Sequence, residues 1–173
     1  MSFTLWFTGL SGAGKTSLSS RLYEELLKRS IPAELLDGDV IRNNFAQDLT
    51  FSKEHRNINV KRIGFLSKLL NKHGVVAIVA MISPYAEVRE QNRQTIGKYI
   101  EVFVDCPLEV LETRDPKGLY AKAKKGTIKH FTGVSDPYES PQHPDVVVNT
   151  DVQTIEESLS VILEHLKEKS FIE

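Results

Sequence analysis

The chain has 173 residues, 40% of them hydrophobic and 26% charged, with a net charge of −1. That length suits one domain burying roughly 70% of its unfolded surface, and the composition excludes a disordered chain, a collagen-like repeat or a coiled-coil rod. The near-neutral charge leaves no broad basic field for nucleic acid or a membrane surface, and the one cysteine, Cys106, excludes an internal disulfide and a cysteine-rich zinc site.

In chain order, strands are expected at Phe3 to Thr8, Ala33 to Leu36, Val75 to Met81, Tyr99 to Val104 and Val146 to Asn149. Several are almost continuous in Val, Ile and Leu, as strands buried on both faces require. Helical periodicity fills the intervals: Leu18, Leu22 and Leu26, then Ile63, Leu66 and Leu70, then Ile155, Leu159, Ile162 and Leu166. Thr154 followed by Glu157 reads as a capping box for the last helix, and Pro107 suits a first helical position. The alternation predicts an α/β fold with a five-stranded parallel sheet and helices on both faces. Residues 1–173 are read as a single P-loop kinase domain. Two stretches break the pattern: a polar segment over 42–57, and 114–144, rich in Lys, Gly and Pro, which reads as a lid and acceptor loop. No apolar run reaches the ~18 residues of a membrane span. The opening residues have no basic region of the kind that starts a signal peptide, and one cysteine fits a reducing setting, so a cytoplasmic protein is expected.

Gly9-Leu10-Ser11-Gly12-Ala13-Gly14-Lys15-Thr16 is a complete GxxxxGK[ST] sequence between a strand and a helix. Glycines let successive backbone N–H groups curl around a phosphate, and the helix N-terminus adds partial positive charge. Lys15 would reach the β- and γ-phosphates of ATP, and Thr16 would ligate Mg²⁺. Guanine specificity is not expected, because Asn71-Lys72-His73-Gly74 lacks the Asp of a guanine-reading motif and precedes a strand.

Asp37-Gly38-Asp39 falls at the carboxyl end of the second strand, where open α/β sheets bind ligands. A carboxylate there can orient an acceptor hydroxyl, take its proton, or hold a water on Mg²⁺; the plainer alternative is an N-cap plus a surface charge. Gly38 would allow a tight turn and close substrate approach. Arg42 would face an anion, and Arg56 and Asn59 share one helix face behind Phe51, a set suited to a charged, nucleotide-like acceptor. Ile82-Ser83-Pro84-Tyr85 puts a loop at the same sheet edge, where Ser83 would donate to substrate or cap the next helix. Arg114 and Lys117 open a basic segment fit for a lid over phosphates. Phe131 would stack on a base or anchor its loop in the core. Asp105 would be a Walker-B acid or simply start a turn, and the five histidines have no metal-ligand spacing.

Taken together, these strings resemble the adenylylsulfate kinase family. The resemblance runs through Thr8–Thr16, Leu36-Asp37-Gly38-Asp39, Phe51–Gly64, Ile82–Tyr85, Glu101–Asp105, Arg114-Asp115-Pro116-Lys117-Gly118-Leu119-Tyr120 and Phe131–Pro141, nearly the whole chain in order. It implies transfer of phosphate from ATP to the 3′-hydroxyl of adenosine 5′-phosphosulfate in sulfate activation. Asp39 would handle the acceptor hydroxyl, supported by Asp37. Arg42, Arg56, Asn59 and the backbone of Ile82, Ser83 and Pro84 would grip the phosphosulfate, and Phe51 and Phe131 would clamp its adenine. Arg114 and Lys117 would cover ATP. The family pattern also marks Ser83 as a phosphoserine intermediate, which direct in-line transfer does not require. A homodimer is implied, with no nucleic-acid or membrane partner. Two positions depart from the pattern: Ala86 replaces a frequent basic residue, and His55 replaces an Asp before Arg56. The alternatives are the same kinase chemistry on a sugar acid or other small alcohol, and a nucleotide-binding switch without turnover.

Overall fold

A computed structural model describes residues 2–173. Five parallel strands form one sheet in the order β2-β3-β1-β4-β5: β1 Thr4–Thr8, β2 Ala33–Asp37, β3 Val76–Ala80, β4 Tyr99–Asp105 and β5 Val146–Asn149. The helices are α1 Lys15–Lys28, α2 Gly38–Phe45, α3 Lys53–Lys72, α4 Ala86–Ile96, α5 Leu108–Arg114, α6 Leu119–Lys124 and α7 Ile155–Glu168. Each expected strand is present to within a residue at either end.

β1 is the central strand and is buried throughout. Its alternation separates two cores: Leu5 and Phe7 join Leu18, Leu22 and Leu26 of α1 and Ile162 and Leu166 of α7, whereas Trp6 joins Val60 and Ile63 of α3 and Val88 of α4. Thus the chain leaves β1 on one face of the sheet and leaves neighbouring β3 on the other. That divergence opens a crevice beyond their carboxyl ends, the place where such sheets bind ligands.

Local sequence accounts for the helix starts. Thr154 and Glu157 make the expected capping box of α7, Ser52 Oγ accepts from His55 N at the start of α3, and Asp37 accepts from Asp39 N and Val40 N at the start of α2. Pro107 sits one position earlier than expected, at the N-cap of α5.

Two expectations need correction. The polar segment over 42–57 is mostly helical: α2 runs to Phe45 and α3 starts at Lys53. Val40 and Phe45 of α2 stay exposed, so no buried stripe marks this helix in the sequence. Gly38 opens α2 and makes no left-handed turn; close packing against the end of β3 requires a glycine there, since a Cβ would lie 2.9 Å from Met81 Cβ and 3.1 Å from the Ala80 carbonyl oxygen. Within 114–144, α6 and a bridge between Thr132 and Asp136 are the regular features.

Candidate active site

The loop between β1 and α1 is shaped by its glycines. Gly9 is fixed by packing as well as conformation, because a Cβ would come within 2.4 Å of the Val104 carbonyl oxygen. Gly14, at φ 101°, enters α1 without a side-chain cap, which leaves the first N–H groups of the helix open to an anion. Lys15 Nζ folds back onto the carbonyls of Gly9 at 2.9 Å and Leu10 at 2.7 Å. Burial lowers its pKa to about 8, against the opposing pull of Asp39, with Lys117 lowering it further and Asp37 raising it.

Three segments meet at the carboxylates after β2. Thr16 Oγ1 donates to Asp37 Oδ2 at 2.9 Å, and Asp37 Oδ1 caps α2, so this residue both caps and faces the phosphate loop. Asp39 projects into the cleft and pairs with Lys117 Nζ at 2.9 Å, which raises the lysine's pKa. The segment read as a lid rests on the phosphate loop: Tyr120 OH donates to Ser11 O, and Asp115 accepts from Tyr120 N and Ala121 N in the first turn of α6. Arg114 reaches the Thr150 carbonyl, and Thr150 Oγ1 in turn donates to Ala13 O. The Asp105 carboxylate is not part of the cleft lining; its backbone carbonyl accepts from Thr150 N.

The far side of the cleft is lined by Arg42, Phe51, Arg56, Asn59, Ile82, Ser83, Pro84, Phe131 and Thr132, continuous with Gly12, Gly14, Lys15 and Thr16 in one cavity of about 640 Å³. Arg42 lies 3.9 Å from the Phe51 ring centroid and donates to the carbonyls of Leu49 and Thr50. Arg56 donates to the carbonyls of Phe51 and His130. Burial lowers the pKa of both guanidiniums. Phe131 is buried edge-on against Tyr120, with centroids 5.1 Å apart, so it anchors its loop and lines the cleft at once.

Asn59 is 4% exposed and its Oδ1 has no partner; Thr132 is 1% exposed and its hydroxyl has none either. Buried polar atoms are rarely left so. Thr132 escaped the sequence reading, and its place beside Phe131 was the one available signal. Ser83 neither caps a helix nor reaches out: its Oγ accepts from Trp6 Nε1 at 2.8 Å and donates to Met81 O. His55 Nδ1 accepts from Thr50 N and so pins the loop carrying Phe51, and Ala86 is exposed beside the same cleft.

The donors around Thr16, Asp37 and Asp39 are hard oxygens, the kind Mg²⁺ prefers. Among the described residues no group of three His, Cys, Asp or Glu side chains would hold a metal alone.

A parallel sheet with a phosphate loop after its central strand, a lid and an adjoining acceptor cleft defines a P-loop small-molecule kinase. Residues 1–149 match the family described as adenylylsulphate kinase. An adenylyl-sulfate kinase of Synechococcus sp. is 49% identical over 170 residues, covering 98% of this chain and 97% of the relative. The structure of the Mycobacterium tuberculosis APS kinase CysC in complex with AMPPNP and APS superposes with a TM-score of 0.91 at 40% identity, covering 96% of this chain and 98% of that one. A hexameric APS kinase from Thiobacillus denitrificans aligns with a TM-score of 0.77 at 32% identity over 100% of this chain, which spans 30% of that longer one. The chain belongs to the adenylylsulphate kinase family.

Proposed function

We propose that this chain transfers the γ-phosphoryl group of ATP to the 3′-hydroxyl of adenosine 5′-phosphosulfate, giving 3′-phosphoadenosine 5′-phosphosulfate and ADP. The observation that carries the reading is the single cavity joining the phosphate loop to two partly buried guanidiniums, two phenylalanines and the unpaired Asn59 oxygen, with Asp39 between them. A doubly anionic nucleotide suits such a wall.

In this reading the N–H groups at Gly12, Ala13 and Gly14 cradle the β-phosphate, and Lys15 turns from the Gly9 and Leu10 carbonyls to the phosphate oxygens. Arg114 and Lys117 close over the nucleotide. Arg42 and Arg56 take the phosphosulfate, Phe51 and Phe131 take the adenine, and Asn59 and the backbone of Ile82, Ser83 and Pro84 fix its orientation. Asp39 accepts the proton of the 3′-hydroxyl as that oxygen attacks phosphorus in line and ADP leaves. Mg²⁺, held by Thr16 and through water by Asp37 or Asp39, would neutralise charge on the transferring group. Ser83 needs no covalent role, because its hydroxyl is engaged by Trp6 and the transfer is direct.

Residues 1–173 form one kinase domain in this account, working in the cytoplasm as a homodimer. The apolar side chains Phe65 and Leu69, one turn apart and exposed on α3, support an association surface. No described helix is long and apolar enough to cross a membrane.

The test is ADP release from Mg-ATP with and without adenosine 5′-phosphosulfate, alongside gluconate and shikimate. Stimulation by the phosphosulfate alone is the expected result. Stimulation by a sugar acid instead, or slow hydrolysis indifferent to every acceptor, would overturn the reading.

A further inference from the structure

Ser83 stands at φ 44°, in the left-handed region, and is 2% exposed at the wall of the cleft. An L residue keeps such a conformation only where its surroundings impose it. Besides Trp6 and Met81 at its hydroxyl, the side chain that holds it here is Arg89, in the first turn of α4 and outside the cleft lining. Arg89 is 2% exposed, and its Nη1 donates to the Ser83 carbonyl at 2.6 Å. Its Nη2 donates to the Glu139 carbonyl at 2.6 Å, and its Nε donates to Glu101 Oε1 on β4 at 3.0 Å.

The clamp is closed from the other side. Glu139 N donates to Pro84 O at 2.8 Å, and Ala86 N donates to Glu139 Oε2 at 2.7 Å. Thr8, the residue before the phosphate loop, donates to Ile82 O at 2.6 Å and meets Tyr138 OH at 3.0 Å. One guanidinium fork therefore ties the loop after β3, the loop following Phe131 and Thr132, and the sheet into one unit. A buried arginine is costly unless it is paired and hydrogen-bonded, and three directional bonds on three elements are what a planar fork supplies and an ammonium does not.

We propose that Arg89 is a positioning residue for the acceptor: it holds the Ile82–Pro84 backbone and the 131–139 loop in the spacing that grips the phosphosulfate nucleotide. The proposal rests on the function stated above. It separates acceptor from donor, because Arg89 has no bond to the Gly9–Thr16 loop.

Arg89→Lys is the informative variant, since it keeps a positive charge opposite Glu101 while losing the fork. The KM for adenosine 5′-phosphosulfate is expected to rise about tenfold, with ATP affinity in the absence of acceptor unchanged within about twofold. Glu139→Ala removes an exposed side chain and opens the clamp at Ala86; the same split, smaller in size, is expected there. Acceptor KM unchanged in both folded variants, or acceptor and ATP affinities weakened alike, would overturn the proposal while leaving the function standing. A wild-type protein that neither binds nor phosphorylates adenosine 5′-phosphosulfate would instead overturn the function, and this proposal with it.

Discussion

The donor half of the cleft is made from eight consecutive residues, Gly9 to Thr16, laid between the most buried strand and the helix that packs on it. The proposed acceptor half draws on separate stretches: the carboxylates after β2, Arg42 on α2, the 51–59 segment, the loop after β3 and the 128–132 loop. The donor half uses backbone N–H groups, which the helix start places whatever the side chains do. The acceptor half uses side chains, several of which hold protein carbonyls while two buried polar atoms hold nothing. Phosphate is common to many substrates, so a backbone nest suffices for it. Recognition of one particular acceptor needs distinct groups brought from far apart, and it leaves unpaired atoms where the substrate will supply the partner.

This division predicts separable defects, the largest at the junction. Asp39→Ala removes the group proposed to take the hydroxyl proton, and kcat is expected to fall about 10³-fold. ATP binding should persist, because the carboxylate makes no bond to the phosphate loop. Full turnover in the folded variant, measured by ADP release, would remove Asp39 from the chemistry. Next in size, Phe131→Ala takes one face of the proposed adenine clamp away and should raise the acceptor KM about tenfold, with the ATP KM unchanged. Phe51→Ala should act in the same direction but less, since its ring is about half exposed and already faced by Arg42. If either raised both KM values equally, the two halves would not be independent.

The donor half carries a pH signature of its own. Burial holds Lys15 at about 8 in the free enzyme, below the ordinary 10.5. Nucleotide needs the charged form, so apparent ATP affinity should be nearly flat below pH 8 and weaken about tenfold by pH 9. Calorimetry in two buffers of different ionisation enthalpy should show proton uptake on binding between those values. The effect on folding has the opposite sense. Between about 8 and 10.5 the unfolded chain holds this proton while the fold does not, so Lys15 makes the free enzyme more stable as pH rises through that window.

The two halves also differed in how far the sequence disclosed them. Gly9–Thr16 is contiguous and flanked by a strand and a helix, so both its shape and its chemistry are legible from order alone. All five strands were likewise legible, β1 and β3 because strands covered on both faces are continuous in apolar residues, and the edge strands β2 and β5 from shorter apolar runs. On the acceptor side, spacing brought Arg56 and Asn59 onto one face, yet it did not show that Asn59 is buried with a free oxygen or that Thr132 joins it. Those facts depend on α3 meeting the 128–132 loop, which are some 70 residues apart. α2 went unread because Val40 and Phe45 face outward and only Ile41 packs on the core, and the turn expected at Gly38 is instead a close approach to the end of β3, more than forty residues later.

The smallest predicted effect bears on a contact that crosses between the halves. Lys117 of the lid pairs with Asp39 across the cleft, with the two side chains 63% and 77% exposed. An ion pair so open to water contributes little to stability, so Lys117→Met should leave the thermal midpoint almost where it is. Its consequence lies in binding: the same lysine sits beside both Lys15 and the place a γ-phosphate would occupy. ATP arriving in the cleft offers Lys117 a stronger partner than Asp39, and the lysine's departure frees the carboxylate for the acceptor hydroxyl. Lys117→Met should therefore raise the ATP KM about fivefold and lower kcat by a similar factor, with the acceptor KM the least affected. A change confined to the acceptor KM would mean that Lys117 belongs to the acceptor wall, and the boundary between the two halves would have to be drawn on the other side of the lid.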